Sequence, residues 1–180
     1  KRLDPVQVGE SGQIKEFREE RKYGEVVLVN RLRSALRRIN KDMPDSAIDE
    51  AVKKVLRAES QDLAANNQHF HRLVTNGIPV QYKRADGTIK DQLVWLFDFE
   101  HANNNEFLAV SQFTIVEERN NRRPDIILFV NGLPLVLIEL KNPADENATV
   151  WSAFNQFETY TRLIPSVFRY NELLVISDGL

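Results

Sequence analysis

Residues 122–141, RRPDIILFVNGLPLVLIELK, place Asp125 at the head of one apolar run, and Glu139 and Lys141 at the tail of the next. Asn131-Gly132 between them is a strong hairpin signal, so the two runs fold back and return these groups to one end. The register decides whether the acids meet. A two-residue loop pairs Val130 with Leu133, sets Asp125 opposite Ile138 and leaves Glu139 on the other face. A three-residue loop, 131–133, pairs Val130 with Pro134 and sets Asp125 opposite Glu139; one residue of slip exchanges the faces. Proline is tolerated at the first residue of a strand, so Pro134 favours the three-residue loop. Directly opposed Cβ atoms lie about 5 Å apart, and Lys141, two residues beyond Glu139, shares its face.

Two carboxylates at that separation repel unless a shared proton, a basic neighbour or a bound cation offsets their charge. An all-oxygen site with two acids suits Mg²⁺, which takes one or two carboxylates and completes its shell with water and phosphate oxygens. A lysine beside such an ion can stabilise developing negative charge or orient an attacking water. Together these are the groups needed for phosphodiester hydrolysis. The plain alternative is a solvated Glu139–Lys141 surface pair, worth less than about 1 kcal/mol. Two further features bear on the choice. Gln156 and Tyr160 in QFETY are spaced i, i+4 on one face of a helix, and a short crossover turns that face toward the hairpin end. Glu25, at about 100° per residue, falls within the apolar stripe of the first helix; it is a candidate third metal ligand or a helix-start acid near the dipole.

The elements that must position these groups are legible in the periodicity. Residues 1–23 are polar and aperiodic, an extended lead-in to a single domain over 24–180. GEVVLVNRLRSALRRIN predicts a helix burying Leu28, Leu32, Ala35, Leu36 and Ile39. MPDSAIDEAVKKVLRA predicts a second, with Pro44 and Asp45 or Ser46 at its start, and QDLAANNQHFHRLVTNG a third, ended by Asn76-Gly77. IPVQYKR and TIKDQLVWLFDF read as strands about an Asp86-Gly87 turn. HANNN is a polar loop and EFLAVSQFTIVEE a further β run. After the hairpin, NATVWSAFNQFETYTRLI is helical and ELLVIS a last strand. The order predicts a mixed α/β domain with a helical N-terminal region.

Composition narrows the function classes. The chain has 180 residues, 42% apolar and 28% charged, with a formal net charge of −2 and no cysteine. That is ordinary globular chemistry; it excludes disulfides and thiolate metal sites and points to an intracellular, cytoplasmic setting. No apolar run approaches the ~20 residues of a bilayer span, so no membrane role is expected. The first residue is lysine and the last run ends just after a strand, which reads as a piece of a longer polypeptide. A slightly acidic protein is a poor stand-alone nucleic-acid binder. Its basic residues are clustered, however: Arg31, Arg33, Arg37, Arg38 and Lys41 on the first helix, and Arg122-Arg123 before the Pro-Asp. The first cluster is a solvated helix face or a track for DNA phosphates.

At the hairpin and its surroundings the sequence resembles the N-terminal endonuclease domain of the type I restriction enzyme R subunit, a member of the PD-(D/E)xK nuclease superfamily. The likeness runs through NNQHFHRLVTNGIPVQY, LAVSQFTIVEE, NRRPDIILFVNGLPLVLIELKNPADENATVWSAFNQFETY and YNELLVISDG, most of the chain. It implies a mixed central sheet flanked by helices. It makes Pro124-Asp125 the PD and Glu139-Leu140-Lys141 the ExK, with Asp125 and Glu139 as Mg²⁺ ligands. The Leu140 carbonyl is a further ligand and Lys141 assists the water or the scissile phosphate. Gln156 and Tyr160 match the QxxxY motif, which supports the site or contacts DNA; Glu25 corresponds to the first-helix acid by position alone. The resemblance further implies double-stranded DNA as substrate, partner methylation (M) and specificity (S) subunits, and an ATP-driven translocase beyond residue 180. This chain has no G-x-x-x-x-G-K-[ST], so no ATP site is assigned to it.

Other readings compete. A glycosidase-like acid pair requires one protonated carboxyl, and Lys141 beside Glu139 argues against that. A docking module between motor and partner subunits, with no cleavage of its own, gains nothing from paired acids. His69 and His71, spaced i, i+2 on a helix, point apart and do not share an ion.

Overall fold

A computed structural model describes residues 7–8, 21–84, 86–141 and 150–177. Its elements in chain order are β1 (Gln7–Val8), α1 (Val29–Ile39), α2 (Asp45–Leu56), α3 (Leu63–Asn76), β2 (Ile78–Lys83), β3 (Ile89–Val94), β4 (Phe107–Ser111), β5 (Ile115–Glu117), β6 (Asn120–Arg122), β7 (Ile126–Val130), β8 (Leu133–Leu140), α4 (Val150–Leu163), α5 (Pro165–Phe168) and β9 (Leu173–Ser177). The fold is mixed α/β, with a central mixed sheet flanked by helices. The chain falls into two compact units. Residues 1–26, 107–130 and 134–180 form a sheet unit, and 27–106 with 131–133 a helical unit. The expected lead-in lies mostly outside the described residues, apart from β1 and the turn after residue 21.

In the sheet unit the strand order is β1-β4-β7-β8-β9. β4 is antiparallel to β1 and β7, and β9 returns parallel to β8, with Glu139 beside Ile176. A parallel neighbour requires a crossover, and α4 supplies it. Burial alternates along β7, where Ile127 and Phe129 are buried and their neighbours half-buried, as a strand packed on one face requires. Phe129 meets Phe113 at 5.1 Å between ring centres, and Ala153, Phe157 and Tyr160 of α4 are buried. The run 106–118, read from sequence as a further β run, is broken into β4 and β5. Gln112 lies between them at φ 53°, a left-handed conformation uncommon outside glycine. β5 then pairs not with the sheet but with β6, as a small separate hairpin.

In the helical unit α1 buries Leu32, Ala35 and Leu36, and α2 buries Ile48, Val52 and Val55. The arginines expected on a solvated face are mostly committed. Arg33 and Arg37 each sit 2.8 Å from an acid at or near the start of α2, Asp49 and Asp45, and Arg31 pairs with Glu106. Asp62 caps α3 by accepting from the Ala64 and Ala65 amides, and Gly77 ends it at φ 76°. No helix among the described residues is long and apolar enough to cross a membrane.

The Asn131-Gly132 turn belongs to the helical unit. Its φ angles of 52° and 80° make it a two-residue type I′ turn, so the three-residue loop expected from Pro134 is not formed. Asn131 is fully buried and fully bonded. Its amide donates to the Glu106 carbonyl (2.8 Å), Oδ1 accepts from the Glu106 amide (2.8 Å), and Nδ2 donates to the Leu96 carbonyl (2.8 Å) and Asn105 Oδ1 (2.9 Å). The Gly132 carbonyl accepts from the Leu28 amide at 2.9 Å. That contact leaves no room for a side chain: a Cβ at Gly132 would lie 2.6 Å from the Leu28 carbonyl oxygen and 2.9 Å from the Leu32 nitrogen. Gly87, at φ 85°, would meet only the end of Lys83, at 3.8 Å. Gly87→Ala is therefore expected to cost only left-handed strain, about 1 kcal/mol, whereas Gly132→Ala adds overpacking against backbone, about 3 kcal/mol or more in all. Urea unfolding of the two variants measures the difference.

Candidate active site

Asp125 stands one residue ahead of β7, after Pro124, where the ladder no longer fixes the direction of its side chain. Three groups hold it. Its carbonyl accepts from the Gln112 amide (2.8 Å), Oδ1 accepts from Gln112 Nε2 (2.9 Å), and Oδ2 accepts from the Leu140 amide (2.9 Å). The Asp125 carboxylate thus bridges from the head of β7 to the tail of β8. The two-residue turn parts Asp125 from Glu139 along a regular ladder; the Asp125 carboxylate nevertheless lies close enough for its charge to act on Glu139.

Glu139 is the second-last residue of β8 and only 3% exposed. Its Oε1 accepts from Gln156 Nε2 and lies 3.7 Å from Lys141 Nζ. Its Oε2 is buried and has no hydrogen-bond partner among the described residues. Lys141 gives its hydrogen bond to Gln156 Oε1 instead (2.7 Å). The Gln156 amide group donates also to the Tyr160 hydroxyl (2.6 Å). One carboxamide on α4 therefore joins Glu139, Lys141 and Tyr160, as the i, i+4 spacing anticipated. The crossover that makes β9 parallel to β8 is what carries α4 over the strand end; ligand sites at carboxyl ends of strands are the usual outcome of such crossovers.

Burial first, and then the charge of Asp125, push the Glu139 carboxyl up to about 7, against the opposing pull of Lys141. With one carboxyl protonated the pair shares a hydrogen bond, which favours the neutral form further. The expectation that Lys141 keeps Glu139 ionised is thereby corrected: without a cation, desolvation outweighs the lysine. Burial likewise raises the Tyr160 hydroxyl above its ordinary value.

Glu25 is not brought into this arrangement as a helix residue. α1 begins at Val29, so Glu25 precedes it, exposed, in a turn whose carboxylate accepts from the Lys22 amide (3.1 Å). No group of three or more acids or histidines able to hold an ion occurs among the described residues. Asp125 and Glu139 remain as a pair, and Glu139 Oε2 is a buried oxygen without a hydrogen-bond partner among the described residues. That donor set fits a hard divalent cation that fills its other positions with water or phosphate oxygens. Leu140 is engaged through its amide, on Asp125. The residue that sequence reasoning missed is Gln112. Its signal was present in the polar SQ step that interrupts LAVSQFTIV, but nothing local says that a break there turns a carboxamide onto Asp125.

The raised carboxyl has a thermodynamic consequence. Glu139 titrates near 4.5 when unfolded and near 7 when folded, so the folded state binds the extra proton. Its stabilising effect is full below pH 4.5 and lost as pH rises to 7. In EDTA, urea unfolding of the wild type is expected to weaken across that window, and Glu139→Gln is expected to flatten the dependence.

The sequence profile of the family described as type I restriction enzyme R protein N terminus matches residues 3–180. The chain is 48% identical over 156 residues to the type I restriction enzyme HindI endonuclease subunit of Haemophilus influenzae, covering 86% of this chain and 15% of that protein. It is 36% identical over 98 residues to the EcoprrI endonuclease subunit of Escherichia coli, covering 52% of this chain and 29% of that one. The chain thus spans less than a third of the length of either relative. On a match that extends over nearly every residue, the chain belongs to the family of type I restriction enzyme R protein N termini.

Proposed function

We propose that this chain is the DNA-cleaving domain of a type I restriction enzyme: a Mg²⁺-dependent endonuclease of the PD-(D/E)xK type that hydrolyses phosphodiester bonds in double-stranded DNA. The observation that carries the reading is the buried Oε2 of Glu139, without a hydrogen-bond partner among the described residues, on a carboxyl that feels both Asp125 and Lys141. A buried acid oxygen without a donor is costly, and a cation at that point removes both the missing partner and the repulsion. The names of the relatives, endonuclease subunits of type I restriction enzymes, agree with it.

Within this reading Asp125 and Glu139 hold the ion, with the Leu140 carbonyl as a further oxygen at the strand end. Bound there, Mg²⁺ supplies Lewis-acid polarisation of the phosphate and a more acidic water. Lys141 sits with its ammonium fixed by Gln156, placed to stabilise charge developing on the phosphate or to orient the water. Gln156 and Tyr160 set the positions of Lys141 and Glu139, and Gln112 and the Leu140 amide set that of Asp125. In the longer subunit an ATP-driven translocase delivers DNA to this site, and the methylation (M) and specificity (S) subunits choose where the complex binds. The near-neutral charge of the chain agrees with a domain that does not have to capture DNA alone.

The test uses the full-length subunit assembled with its partners. Asp125→Ala and Lys141→Ala are each expected to reduce cleavage at least about 100-fold while DNA-stimulated ATP hydrolysis persists. Calorimetric titration with Mn²⁺ is expected to show one binding event in the wild type that Asp125→Ala abolishes. Normal cleavage by either variant would overturn the assignment.

A further inference from the structure

Two sets of arginines in this chain have opposite surroundings. On α1, Arg31, Arg33 and Arg37 each face an acid. The second group, Arg119, Arg122 and Arg123, lies on the β5–β6 hairpin and the segment that leads from it to Asp125. Arg119 and Arg123 are exposed, and neither makes an ion pair or hydrogen bond among the described residues. Arg122 is half-buried, and one of its nitrogens donates only to the neighbouring Asn121 carbonyl (3.0 Å).

This hairpin is fixed rather than loose. Glu117 Oε2 accepts from both the amide (3.1 Å) and the hydroxyl (2.7 Å) of Ser166, which anchors β5 to the start of α5 and occupies one of the two acids on the hairpin. The other, Glu118, is exposed at φ 53° in the two-residue turn, a backbone conformation that persists only when its surroundings hold it. β6 packs on α4, the helix that carries Gln156 and Tyr160, and the positive charge of Arg122 acts on the Tyr160 hydroxyl. The rigid hairpin thus runs directly into the carboxylate site. The six residue steps from Arg119 to Asp125 span at most about 20 Å, the axial length of about six base-pair steps. Arg123 stands within about 7 Å of Asp125 along the backbone.

We propose that the β5–β6 hairpin is a DNA-backbone clamp, in which Arg119, Arg122 and Arg123 bind successive phosphates of the strand whose scissile group lies at Asp125 and Glu139. The inference rests on the nuclease reading and adds to it a surface outside the metal site. Arginine is suited to the role: its planar fork meets phosphate oxygens in pairs, and among the described residues Arg119 and Arg123 have no side-chain partner to give up on binding. The contacts are to phosphate, so they position DNA without reading its sequence.

Fluorescence anisotropy of a short labelled duplex with this chain, in Ca²⁺ to suppress cleavage, tests the clamp across a salt series. Each phosphate contact contributes about −0.9 to the slope of log affinity against log salt. The Arg119→Ala/Arg123→Ala variant is expected to flatten the slope by about two and to weaken binding about 10-fold or more at low salt, equally for unrelated sequences. Its thermal midpoint and its Mn²⁺ titration are expected to match wild type. Arg33→Ala/Arg37→Ala, which removes paired arginines, is expected to leave the slope unchanged. A wild-type slope in the hairpin variant overturns the clamp, as does absence of duplex binding by the wild-type chain. Wild-type DNA binding with lost assembly onto the partner subunits overturns it too, in favour of a protein-docking surface. None of these results alters the Mn²⁺ titration, by which the nuclease reading stands or falls separately.

Discussion

The arrangement at the end of β8 is governed by the cost of keeping the Glu139 carboxylate out of water. A central strand, covered on its face by α4 and flanked by β7 and β9, leaves that side chain 3% exposed, and a second carboxylate stands beside it. Charge in that position is unfavourable unless neighbours compensate. The surrounding groups read as answers to this constraint. Gln156 donates to one oxygen and draws Lys141 close; Gln112 and the Leu140 amide satisfy Asp125. One oxygen is left without a donor among the described residues, and the carboxyl meets the deficit by holding its proton toward neutrality.

Holding two acids together requires that the strands carrying them cannot slip. A one-residue shift of β7 against β8 would exchange the faces of the strand and turn Glu139 away from Gln156. The type I′ turn is secured at the tip by the fully bonded Asn131 and by the close approach of Gly132 to α1. At the open end it is secured by Asp125 itself, bonded to the Leu140 amide. The carboxylate is thus both a member of the site and part of what keeps the register, so stability and chemistry are coupled in one side chain.

The same residue type serves two purposes according to its neighbours. Arginines opposite acids on α1 and α2 contribute modestly to packing and present little free charge. Arginines on a short, rigid hairpin with one of its acids already engaged keep their charge for an external anion. Net charge near zero therefore conceals a local asymmetry.

Read alone, the sequence determined most of the elements. Apolar periodicity placed α1, α2, α3 and α4, the Asp-Gly and Asn-Gly steps placed two hairpins, and the Asp, Glu, Lys, Gln and Tyr spacings marked a common end, because these signals are local and repeat with the period of the backbone. It misjudged whatever depended on distant partners. The helix pattern extended back through Glu25, yet α1 starts at Val29 and Glu25 closes a turn onto Lys22. Pro134 favoured a longer loop, but burial of Asn131 and the backbone approach at Gly132 select the two-residue turn, and Asp125 reaches the site from beyond the end of its strand. Neither the role of Gln112 nor the protonation of Glu139 could be read from spacing. Both arise from what the tertiary fold excludes, water above all, and from groups far apart in sequence that it brings within hydrogen-bond reach.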